Sequence, residues 1–91
     1  MKVERFKIKI CCGKQGVVFK TDQPVTKQVL NSLVKLGFKE SEHFTKAGIL
    51  YVDNPDLIIT GPIGSDKLQI KCRITDCEEK INNLEKLLLN I

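Results

Sequence analysis

The sequence predicts an α+β fold, an antiparallel sheet with two helices packed on one face, in the order β-β-α-β-β-β-α. Two segments alternate apolar and charged residues with a period of two, and two others repeat apolar residues at helical spacing. Short turns rich in glycine, proline and aspartate separate them. With 91 residues the chain is expected to be one domain, 1–91, because two separate cores would each need disulfides or metals to stand.

The first strand is predicted over 5–12, where Phe6, Ile8, Ile10 and Cys12 alternate with Arg5, Lys7, Lys9 and Cys11. The apolar set is assigned to the core and the cations to the outer face. Gly13-Lys14-Gln15-Gly16 then reads as a hairpin loop into a second strand over 17–21. Pro24 suits the first turn of a helix, with Asp22 or Gln23 as its cap. Val25, Val29, Leu33 and Leu36 recur at helical spacing, widened by Leu30 and Val34, so a helix is expected over 24–36. Gly37 ends it in a left-handed cap, and Phe38 closes back on the last turn.

The polar run from Lys39 to Lys46 holds one candidate short strand at His43-Phe44-Thr45. Strands are expected over 48–52 and 57–60, joined by the turn Asp53-Asn54-Pro55-Asp56. Gly61 to Asp66 is a loop. Residues 67–74 alternate again, with Leu68, Ile70, Cys72 and Ile74 inward and Lys67, Gln69, Lys71 and Arg73 outward. Thr75-Asp76-Cys77-Glu78 fits a capping box for a final helix from 76 to the end. Its apolar seam is Cys77, Ile81, Leu84, Leu88 and Ile91. The core is expected to join Phe6, Ile8, Ile10, Val29, Leu33, Leu68, Ile70, Ile81, Leu84 and Leu88.

In element order alone this resembles the ferredoxin-like plait. With a fourth strand between the helices it is more similar to the helix-grip arrangement of the TATA-binding fold.

Composition excludes several classes. No stretch approaches the ~20 apolar residues that cross a bilayer, so no membrane partner is expected. Charges interrupt Met1 to Lys7, which leaves no signal-peptide core and points to the cytoplasm. The four cysteines are then expected to be thiols. Adjacent Cys11 and Cys12 point to opposite faces of a strand, and neither they nor Cys72 and Cys77 have zinc-finger spacing, so no metal is assigned. Cys12, Cys72 and Cys77 read as small core residues, and Cys11 as the one thiol set among lysines. His43 has no motif partner, and Asp53, Asp56 and Asp66 are turn formers. The two GxxG segments join strands rather than helices and lack the Lys-Ser/Thr ending of a phosphate loop. No catalytic residue, enzyme activity or cofactor is assigned.

The strongest functional signal is charge. The chain carries 15 Lys and Arg against 11 Asp and Glu, net +4. If the two alternating strands are neighbours, Arg5, Lys7, Lys9, Lys67, Lys71 and Arg73 share one open sheet face. Like charges directly opposite one another destabilise a sheet, so such a face suits an anionic partner. The bland reading is a solvated face whose lysines guard an edge. An acidic protein surface is the favoured partner, which makes the chain a non-catalytic interaction or regulatory module. The alternative is sequence-nonspecific binding to a nucleic-acid backbone through the same face. Base stacking needs exposed aromatics. Phe6 and Phe38 are assigned to the core, which leaves Phe19, Phe44 and Tyr51. Finally, Leu87, Leu89 and Ile91 crowd the end of the last helix beyond its seam. A small chain has little stability to spare for exposed apolar groups, and a homodimer is expected to cover them.

Overall fold

The expected hairpin is formed by β1 (Val3–Lys9) and β2 (Gln15–Thr21), although β2 begins at Gln15, within the segment assigned to the loop. The structure, a computed structural model, describes residues 2–9, 15–74 and 77–90. The chain continues through α1 (Lys27–Lys35), β3 (Lys39–Glu40), α2 (Glu42–Lys46), β4 (Ile49–Asp53), β5 (Leu57–Pro62), β6 (Lys67–Cys72) and α3 (Glu78–Leu89). The six strands make one antiparallel sheet in the order β1-β2-β6-β5-β4-β3. Four strands lie between α1 and α3, as in the second of the two expected arrangements.

One face of the sheet carries the core. Val17 and Phe19 of β2, Leu68, Ile70 and Cys72 of β6, Leu57 and Ile59 of β5, and Leu50 and Val52 of β4 are buried there. Val29, Leu30 and Leu33 of α1 and Ile81, Leu84 and Leu88 of α3 close over them in one cluster. Each fully buried aliphatic side chain contributes about 1.5–3 kcal/mol.

Helix α1 begins at Lys27, later than its apolar spacing predicts. Val25 is the reason. Its N–H donates to Ser65 O at 2.7 Å and its carbonyl accepts from the N–H of Gly64 at 2.7 Å, so its backbone is tied to the β5–β6 loop. Its side chain is fully buried. The helix ends as expected. Gly37 takes φ +104°, its N–H donates to Val34 O, and the N–H of Phe38 donates to Leu33 O. This pair of bonds is a Schellman cap.

Residues 43–45 are helical rather than a strand. The short strand lies just before them, where Lys39 pairs with Asp53 and Glu40 with Val52. The Thr45 hydroxyl then donates to Glu40 Oε1 at 2.8 Å, which holds the α2 turn against that strand. The last strand stops at Cys72 instead of 74, because the Arg73 N–H leaves the ladder for Asp56 O at 2.8 Å. Ile74, expected inward, is 38% exposed. Helix α3 starts at Glu78 with Cys77 at its cap position and no side-chain capping bond. The expected cap, Thr75, lies outside the described residues.

The thiol expectation is overturned at one pair: Cys72 and Cys77 form a disulfide between the end of β6 and the start of α3. Both are buried, as their apolar positions predict. Cys11 and Cys12 lie outside the described residues.

Candidate functional site

In an antiparallel sheet, residues paired in register point to the same face. Arg5 pairs with Phe19, and Phe19 pairs with Leu68. Lys7 pairs with Val17, which pairs with Ile70. Arg5 and Lys7 therefore stand on the helix-covered face, opposite to the expected assignment. Phe6 stands on the open face, 50% exposed. The side chains of Ile8 and Lys9, and all of Ile10, lie outside the described residues.

The six cations are thus not one patch. The Arg5 guanidinium reaches α3, where Nη2 donates to Asn82 Oδ1 at 2.8 Å and to Glu85 Oε2 at 3.1 Å. It also lies over the Phe19 ring, 5.8 Å from its centroid. Arg73 sits past the end of β6, and its Nη1 donates to Asp53 Oδ2 at 2.9 Å and to Asn54 O at 3.2 Å. Both arginines are structural ties. Lys7 is exposed on the helix side of an edge strand. Of the expected set, Lys67 and Lys71 remain on the open face.

The register rebuilds that face with different members. A central row runs across five strands: Phe6, Val18, Gln69, Thr60 and Tyr51. It bears no charge. On one side lies the row Glu4, Lys20 and Lys67. On the other lie Lys71, Ile58, Asp53 and Lys39. Lys20 and Lys67 are direct cross-strand partners. Like charges so placed repel and destabilise the strand pairing. Among the described residues neither has an ion-pair partner, and the same is true of Lys71. Asp53 is engaged by Arg73.

At the far end of the central row, α2 lays Phe44 on Tyr51. Their rings stack at 4.8 Å with 14° between planes, and His43 meets Phe44 edge-on at 6.0 Å. Phe44 is 39% exposed. Phe19, a stacking candidate by sequence, is wholly buried.

The sequence reading missed Lys20, Phe6 and the uncharged row between the lysines. The usable signal was in β2. Val17, Phe19 and Thr21 form one inward set, which sends Val18 and Lys20 outward. The hairpin register then turns Phe6 outward with Val18.

Of the residues expected to drive self-association, Leu87 is half-buried against the core and Leu89 is 51% exposed. Ile91 lies outside the described residues. Among the described residues no three His, Cys, Asp or Glu side chains gather as a metal site. Among them, too, no helix is long and apolar enough to cross a membrane. Comparison with protein-family models, with curated proteins and with solved structures finds no match.

Proposed function

We propose that this chain is a small, non-catalytic binding module that engages an anionic partner through the open face of its sheet. The observation that carries the reading is the Lys20–Lys67 cross-strand pair, without an ion-pair partner among the described residues and seconded by Lys71 on the same face. The repulsion between these lysines is relieved when an anion lies between them. An acidic protein surface and a nucleic-acid backbone both meet that requirement.

Retention on immobilised heparin tests it. The triple variant Lys20→Gln, Lys67→Gln, Lys71→Gln should elute at clearly lower salt than the native chain. A charge-matched control, Lys27→Gln, Lys35→Gln, Lys86→Gln, removes three exposed helix lysines on the other side of the sheet. Equal elution of the two triple variants would reduce the effect to net charge and defeat the reading.

A further inference from the structure

We infer that the anion taken by this face is a single-stranded nucleic acid, laid across the strands from Phe6 on β1 to Tyr51 on β4. The inference rests on the reading of the open face as an anion site. It explains what charge alone does not, the uncharged row between lysines on either side. Carboxylates answer only the lysines, whereas the half-exposed Phe6 at the end of the uncharged row offers the face of an aromatic ring. A single strand has both parts, phosphates for the cations and flat bases for the aromatic rings.

The geometry agrees in detail. Phe6 is 50% exposed on the open face, at one end of the central row. Tyr51, backed by Phe44 at 4.8 Å, stands at the other end. Four strand intervals separate them, about 19 Å at ~4.8 Å each. At the stacked spacing of about 3.4 Å per phosphate, that length holds about six nucleotides. Lys20 and Lys67 flank the path on one side, in the row begun by Glu4, and Lys71 on the other, in the row where Arg73 engages Asp53; each lysine is one pleat repeat away. Gln69 and Thr60 at its centre supply amide and hydroxyl groups suited to base edges. A duplex hides its base faces and could use only the lysines. RNA and DNA share the chemistry that this row offers, phosphate and base.

The chain has no tryptophan, so Phe6→Trp makes a single reporter at the stacking position. The experiment titrates this variant, and the native chain by anisotropy, with dT10, rU10, a ten-base-pair duplex and poly-glutamate. Expected are quenching of the Phe6→Trp emission by dT10 or rU10, and binding of the single strands at least tenfold tighter than the duplex. Phe6→Ala should weaken single-strand binding tenfold or more, while Leu36→Ala, exposed on the helix side, should change it less than twofold. Circular dichroism of each variant confirms that it is folded. In the Lys20→Gln, Lys67→Gln, Lys71→Gln variant, the slope of log affinity against log salt should fall by about 0.7 for each phosphate that a lysine no longer neutralises. The relative response to dT10 and rU10 tells DNA from RNA.

Poly-glutamate binding that needs the three lysines, with the single strands silent at low salt, would overturn the inference and leave the anion site standing. Silence toward every polyanion would overturn both. Duplex binding as tight as single-strand binding, or single-strand binding with no quenching and no effect of Phe6→Ala, would reduce the interaction to backbone charge and overturn the inference alone.

Discussion

Arg5 on the edge strand and Glu85 on the last helix meet at 3.1 Å, and the same guanidinium nitrogen also holds Asn82. This bridge ties the first strand to the last helix, 80 residues away. It also turns β1 so that Phe6 faces away from the core. The Arg5 side chain is 23% exposed, less than an ordinary surface cation, and its guanidinium covers Phe19. Its Nε is buried without a partner, so the pairing is not cost-free.

Arg5→Ala is therefore expected to lower stability by about 1–2 kcal/mol, through the missing hydrogen bonds to α3 and the uncovered Phe19 ring. Lys7→Ala, on the same strand face but exposed, should stay within about 0.5 kcal/mol. Urea unfolding of the two variants checks the strand phase. Equal, negligible losses would mean that Arg5 is solvated like Lys7.

The core predicts a sharp contrast between two phenylalanines. Phe19 is wholly buried between sheet and helices, and Phe19→Ala should cost about 3–5 kcal/mol. Leu33→Ala and Ile70→Ala, also fully buried, should cost about 2–5 kcal/mol. Phe6→Ala, half exposed, should cost less than about 1 kcal/mol. A Phe6→Ala loss as large as that of Phe19→Ala would restore Phe6 to the core.

The Cys72–Cys77 bond closes a loop of sequence separation 5. Loop-closure entropy assigns it about 2 kcal/mol, small because the loop is short. The Cys72→Ala, Cys77→Ala double variant should lose that much under oxidising conditions. Reductant should destabilise the native chain and leave the double variant unchanged. Native stability that ignores reductant would show that the two sulfurs are not bonded in solution.

Leu89 projects at the end of α3 with half its surface in water, and Leu87 lies half-buried near it. If this end is covered by a second copy, light scattering at micromolar concentration should give about twice 10.3 kDa. Leu89→Lys should return the mass to that of one chain. A native species already at 10.3 kDa would end the homodimer proposal.

Much of this molecule is legible in its sequence, for reasons that are local. The α3 seam of Cys77, Ile81, Leu84 and Leu88 is buried as its spacing requires, because a helix on a sheet has one stripe to cover. The same holds for Val29 and Leu33 on α1. Gly37 is a left-handed cap because no side chain obstructs it there. Leu68, Ile70 and Cys72 are inward because β6 is a central strand, flanked on both sides and covered by helices.

The phase of β1 is different in kind. Alternation determines that Phe6 and Arg5 lie on opposite faces, but a period of two is unchanged when the faces are exchanged. The choice belongs to the partners. Strand β1 is at the sheet edge, so few core neighbours reward an inward Phe6, and Asn82 and Glu85 of α3 reward an inward Arg5. Those groups lie 77 and 80 residues along the chain and become neighbours only in the folded molecule. By itself the sequence determined most of the elements and two helix faces on one sheet, but not the short β3 strand and α2 helix between α1 and β4. Tertiary structure alone decided which side of β1 met the helices. Through that choice it broke up the expected patch of six cations and set Phe6 on one face with Lys20, Lys67 and Tyr51, because strand faces are fixed by register with neighbours and not by pattern.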